Sequence, residues 1–251
     1  MNSNKRTARI VGVLFMLATV MGVASALVLL QPILTAPDYL VKFSENENKV
    51  IIGALLDLIG AGAFVGIAVV IFPIFEKHNK SIALGYIIAR SFEAVPFIIA
   101  NTLLISLLAL GQEYVRAQAP EVGYFQTFGA LLLAAYDWTQ LLGPRILASL
   151  AGMPFYYLLY QSKLIPRWLS VWGLVGAPLY LASGLLPMFG LDPSSTISTL
   201  LFLPTALNEM VLAVWLVVKG FNSSATTWGL QNRYKPSLNE RQNRYRFWRS
   251  H

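Results

Sequence analysis

Six stretches of this chain are each long and apolar enough to cross a bilayer as a helix, a pattern that admits few folds. A spanning helix needs about 20 mostly apolar residues at about 1.5 Å of rise each. Residues 10–34, 50–75, 81–110, 139–161, 168–189 and 195–219 meet that length. In hydrocarbon every backbone N–H and C=O must be satisfied within the protein, which leaves helices or closed barrels. The expected fold is therefore all-α, a polytopic transmembrane bundle of six spans plus one short helix. That extra helix is residues 121–138, EVGYFQTFGALLLAAYDW, which are apolar, short and amphipathic. They read as an interfacial or re-entrant helix leading into the fourth span, or as an outward extension of it. Lys5, Arg6 and Arg9, an apolar run and then Ala24-Ser25-Ala26 resemble a signal peptide. The apolar run continues through LVLLQPIL past that site, so a retained first span is expected.

Only 12% of the 251 residues are charged and 56% are hydrophobic, whereas soluble domains carry about 25% charged residues. The chain has no cysteine, which excludes disulfides and thiolate metal sites. Its two histidines, His78 and His251, exclude a cluster of imidazole ligands, so no cofactor or metal is expected.

The formal charge of +7 follows topology rather than nucleic-acid binding. Basic residues favour the cytoplasmic side of short loops. With the N-terminus inside, Lys5, Arg6, Arg9, Lys77, Lys80, Lys163, Arg167 and Lys219 fall on that side. So do Arg233, Lys235, Arg241, Arg244, Arg246 and Arg249 of the tail. The outer loops hold only Lys42, Lys49 and Arg116. Both termini are expected to be cytoplasmic, with residues 1–221 as the transmembrane domain and 222–251 as a basic cytoplasmic tail. Basic clusters beside a span attract anionic lipid at about 1 kcal/mol per charge. The tail's interleaved aromatics and arginines would also suit RNA, but a membrane-grazing tail is the expectation.

The remaining cations, Arg90 and Arg145, lie inside spans, as do Asp57, Glu93 and Glu209. Each ion near a span centre costs about 2.5–3.5 kcal/mol on insertion scales, so Arg90 and Glu93 together cost about 5–7. The apolar residues of the same span return about 4–9 kcal/mol; pairing therefore decides whether the helix inserts comfortably. Counted from the cytoplasmic end, Arg90, Glu209 and Glu93 lie about 14, 15 and 18 Å deep. Arg145 and Asp57 lie about 24 and 27 Å deep. Two layers are expected: a midplane polar site of Arg90, Glu93, Glu209 and Asn208, and an outer ion pair between Asp57 and Arg145. At helical spacing Tyr86 and Asn101 share the arc of Arg90, and Ser198 and Thr205 that of Glu209. Ser149, Tyr156 and Tyr160 share the arc of Arg145. Gly62 and Gly66 have G-x-x-x-G spacing, with Gly53 and Gly60 nearby, as at close helix contacts.

ARIVGVLF near the start, RSFE in the third span, LIPRWLSVWGLVG before the fifth and ALNEMVLAVWLVVKGF at the sixth resemble a bacterial membrane family. It is the one catalogued as domain of unknown function 4386, and the likeness runs from about residue 6 to 221. The resemblance implies a multi-helix protein of the bacterial cytoplasmic (inner) membrane, with Arg90, Glu93 and Glu209 at recurrent polar positions. It brings no activity, substrate or cofactor.

No phosphate-binding glycine loop, H-E-x-x-H or G-x-S-x-G occurs. Asp57 and Asp137 lie on different helices at different depths, which does not suit a paired-aspartate hydrolase. The leading functional expectation is a small-solute or proton-linked carrier with a midplane polar site. The alternatives are a lipid-modifying enzyme using Glu93 or Glu209 as acid–base, or a non-catalytic scaffold or sensor docking through its tail.

Overall fold

The computed structural model describes residues 3–117, 122–193 and 195–222; of the predicted basic tail, all but Asn222 lies outside these residues. Every regular element among the described residues is a helix. Helix α1 (Ser3–Val23) continues through a π-helical segment, Ala24–Leu30, into α2 (Gln31–Leu34). Short α3 (Tyr39–Glu45) precedes α4 (Glu47–Phe75) and α5 (Lys80–Arg116). Then α6 (Val122–Leu141) passes through a second π segment, Leu142–Leu147, into α7 (Ala148–Ser162). Helix α8 (Arg167–Leu185), with a 3-10 turn at Leu186–Phe189, and α9 (Thr196–Val218) complete the bundle.

Five runs are long and apolar enough to cross a membrane: Asn4–Leu34, Glu47–Phe75, Lys80–Arg116, Arg167–Phe189 and Thr196–Val218. They coincide with five of the predicted spans. The predicted fourth, 139–161, falls on the α6–π–α7 run, where Asp137, Gln140, Pro144 and Arg145 dilute the apolar character. Leu141 and Ala148 on either side of that π segment keep right-handed helical dihedrals. The helical backbone thus continues from α6 into α7, and residues 122–138 are an extension of that run, packed along α5.

Helix ends follow local chemistry. The Asn79 side chain accepts a hydrogen bond from Ile82 N (3.1 Å) and starts α5, and Ser195 Oγ accepts from Ser198 N (3.2 Å) and starts α9. At the exit of α7, Lys163 takes a left-handed conformation, φ 55°. Asn222 closes this end of the bundle: its N–H donates to Leu164 O and its Nδ2 to Lys163 O, both at 2.8 Å.

Two apolar clusters hold the helices together. One gathers Phe15, Ile71, Phe75, Tyr86, Phe155, Leu159 and Leu216 near the Lys163 and Asn222 end. The other gathers Leu30, Ile33, Phe43, Val50, Leu104, Leu107 and Tyr136 at the opposite end, where α3 lies against α5. Outside both clusters, Ile88, Phe92, Val95, Ile98 and Ile99 of α5 are 48–64% exposed. A perimeter this apolar needs lipid around it.

The glycines making the closest contacts are not the predicted pair. Around Gly62 there is open space, and Gly66 meets only a Leu14 methyl at ordinary contact distance. Gly60 faces the backbone of α1, where an added Cβ would come 3.4 Å from Ala18 O, and Gly111 lets α5 approach the Leu40 carbonyl of α3 so closely that a Cβ would overlap it. Gly66 meets α1 only through the Leu14 methyl and Gly62 meets nothing, so the Gly62–Gly66 pair builds no close helix contact.

Candidate functional site

Arg90 and Glu93 are buried because α5 places them on its inward stripe. Ala83, Tyr86, Arg90, Glu93, Ala100, Asn101, Leu104 and Leu107 all lie on the buried face of this one helix. Three residues of helical spacing bring the two charges together: Arg90 Nη1 donates to Glu93 Oε2 at 2.7 Å, with both side chains 3% exposed. Arg90 Nε donates to Tyr86 Oη at 3.4 Å. Its guanidinium lies over the Phe64 ring of α4, 4.8 Å from the centroid, a contact that strengthens when water is excluded. Tyr86 stacks on Phe155 of α7, which also touches Phe15 and Phe75. Aromatics from α1, α4, α5 and α7 thus floor the pair on the Lys163 side.

Glu209 approaches from α9. It is partly buried, and its carboxylate is within electrostatic reach of Arg90 and Glu93. No ion pair within 4.0 Å joins it to a cation among the described residues, where the one buried salt bridge is Arg90–Glu93. Tyr156 and Tyr180 also lie within the field of Glu209. Beside it, Asn208 is wholly buried and donates through Nδ2 to Leu169 O at 3.0 Å, which ties α9 to α8.

Buried hydrogen-bonding atoms without partners concentrate on α7, α8 and α9. Tyr156 Oη, Ser170 Oγ, Thr205 Oγ1 and Asn208 Oδ1 are all buried and make no hydrogen bond. Gly173 of α8 receives the Tyr156 ring so closely that a Cβ would overlap it, and Gly176 lies against Thr205. Such atoms are uncommon in folded proteins, and each asks for an explanation in water, ligand or strain.

The second predicted layer differs from expectation. Asp57 and Arg145 form no ion pair. Arg145 Nη1 donates to Ser183 O and Pro193 O, each at 3.4 Å, and Gly184 brings α8 against the Arg145 stem. Tyr180 of α8 donates its hydroxyl to Pro144 O, fastening the same segment. Arg145 sits in the second π segment, whose i→i+5 turns insert a residue and rotate the downstream side chains by about 100°. Depth along the helix set its height, but the π turn set its direction, toward α8. Tyr160 likewise leaves the predicted stripe: it is 37% exposed and packs under the Arg167 guanidinium.

Asp57 instead keeps neutral company. It is 5% exposed and accepts from Gln140 Nε2 at 3.4 Å; Gln140 also donates to Tyr136 Oη at 2.9 Å. Ser25 and Asn101 flank the same carboxylate. Ser25, Tyr136, Gln140 and Tyr180 were not singled out from the sequence; polar side chains inside apolar runs were the available signal.

A family model described as Domain of unknown function (DUF4386) covers residues 10–220. Neither the curated proteins nor the solved structures contain a match.

Proposed function

The chain belongs to the DUF4386 family, and on that premise we propose that it is a multi-pass carrier of the bacterial inner membrane. The solute is small or the flux is proton-linked, and the midplane site is Arg90, Glu93, Glu209 and Asn208. Both termini face the cytoplasm, residues 1–221 form the six-span membrane domain, and the basic segment 222–251 contacts anionic lipid.

The observation that carries this reading is the inequality of the two acids. Glu93 holds Arg90 at 2.7 Å, and Glu209 stands within the field of that pair without a cation of its own. Intramembrane ionisable groups are costly and cluster where ions or substrates move. A second carboxylate beside a satisfied pair must be protonated, hydrated or matched by a ligand. The unpartnered oxygens of Tyr156 on α7 and of Thr205 and Asn208 on α9 supply further polar groups.

The test is reconstitution in liposomes with a screen of fluxes driven by a pH gradient. Glu209→Gln should abolish the flux while Tyr160→Phe leaves it intact. A gradient-driven flux that survives both Glu209→Gln and Arg90→Ala would reject the site.

A further inference from the structure

Asp57 poses an electrostatic problem that the rest of the bundle leaves open. Moving an isolated carboxylate into a low-dielectric interior is so costly that the group takes up a proton or acquires a cation. Among the described residues no Lys, Arg or His lies within 4.0 Å of it. The groups that face it are Ser25 from the first helical run, Asn101 from α5, and Gln140 and Tyr136 from α6, none of them cationic. Its hydrogen bond from Gln140 is a long one, at 3.4 Å.

The same groups are rich in oxygen. Ser25 is fully buried and gives its hydrogen to Gly53 O at 2.8 Å, so its Oγ faces its other neighbours as an acceptor. Asn101 is 5% exposed; its Nδ2 is committed to Phe97 O at 2.8 Å, and its Oδ1 is buried with no partner. Side chains of Asp57, Ser25 and Asn101 thus meet from α4, the first π segment and α5, and among them Asn101 Oδ1 is left without a partner.

Backbone geometry points to the same place. Ser25 lies in the π segment Ala24–Leu30, and Gln140 stands two residues before the other, Leu142–Leu147. Segments of this kind loosen the regular carbonyl ladder and recur at functional sites. The first interruption lies beside Asp57, while the second starts just past Gln140 and packs its Gly143 against Pro96 of α5.

We propose that Asp57, Ser25 and Asn101, with Gln140 behind them, bind a sodium ion at a site separate from Arg90 and Glu93. Hard cations take carboxylate, hydroxyl and carbonyl oxygens. One negative charge matches a monovalent ion, whereas a divalent one would leave a buried net charge. Binding exchanges the carboxyl proton: Asp57–COOH and Na+ give Asp57–COO−·Na+ and H+. Sodium affinity therefore falls with falling pH.

The full-length protein in detergent, followed through its own tryptophans on heating, provides the test. A ligand that binds only the folded state raises its unfolding temperature in proportion to occupancy. Sodium chloride should raise that temperature saturably over choline chloride at equal ionic strength, and less so at acid pH. Asp57→Asn should remove the sodium response, Asn101→Ala and Ser25→Ala should weaken it, and Glu209→Gln should keep it. Identical unfolding in sodium and choline overturns the proposal, as does a shift that tracks pH alone or persists in Asp57→Asn. If Asp57→Asn does not fold, the wild-type comparison and the Asn101 and Ser25 variants still decide. The readout is binding alone, so loss of the sodium response counts against this site, while the carrier reading is decided by the liposome flux.

Discussion

Arg90 and Asp57 are buried to nearly the same degree, 3% and 5% exposed, yet their surroundings are opposite. Arg90 has a carboxylate at 2.7 Å, a phenol and an aromatic face. Asp57 has a long hydrogen bond from Gln140 and the neutral side chains of Ser25 and Asn101 beside it. Around Arg90 the protein has neutralised the charge with its own residues, chiefly from the same helix. Around Asp57 it has assembled neutral dipoles from three helical runs and left the charge itself uncompensated. The first arrangement is neutral by itself; the second leaves a carboxylate among neutral side chains, the place proposed above for sodium.

The largest test of this contrast removes one half of the internal pair. Arg90→Ala strands Glu93, and breaking a buried pair this way costs about 3–5 kcal/mol. Denaturant unfolding in detergent should show that loss, and Arg90→Met combined with Glu93→Leu should recover most of it. Asp57→Asn in sodium-free buffer should cost far less than Arg90→Ala by the same measurement, because no partner is stranded. Comparable losses for the two variants would erase the distinction between the layers.

Packing changes come next in size. Gly173→Ala sets a methyl into the Tyr156 ring beside the midplane groups, and overpacking of this kind costs about 1–3 kcal/mol. Gly62→Ala, facing open space on the perimeter, should be neutral or stabilising by up to about 1 kcal/mol through backbone entropy. Loss of stability in Gly62→Ala, measured in the same detergent, would show that this face does pack against something.

The smallest effect falls outside both layers. His78, in the turn between α4 and α5, is held below its ordinary pKa by burial and by the charge of Lys77. The folded protein therefore binds this proton less readily than the unfolded chain. Its contribution to stability is present above the ordinary value of about 6.5 and declines as pH falls below it. His78→Gln should flatten stability against pH over that window, seen as a smaller fall in unfolding temperature between pH 7 and pH 5.

Hydropathy made five spans legible, because lipid demands long apolar runs and tolerates few exceptions. The fourth is harder to read from composition, since Pro144 and Arg145 interrupt it where the protein needs a carbonyl for Tyr180 and a cation for Ser183 and Pro193. In the midplane layer the short spacing from Arg90 to Glu93 identified a pair that lies within one helix, where distance along the chain fixes distance in space. The proposed Asp57–Arg145 contact joined different helices, and only height can be counted along a helix. Direction depends on π segments and on how neighbours pack, and a residue inserted by a π turn leaves no mark in composition.

Asn222 offers a practical boundary. Its two hydrogen bonds to the turn at Lys163 and Leu164 complete the contacts of this end of the bundle. A stop codon placed directly after that asparagine would remove every basic residue of the tail while sparing the clasp. Deleting the asparagine too would remove the two hydrogen bonds that tie the chain beyond α9 to the turn at Lys163 and Leu164. Comparing the two truncations thus separates the effect of losing the basic segment from the effect of losing the clasp.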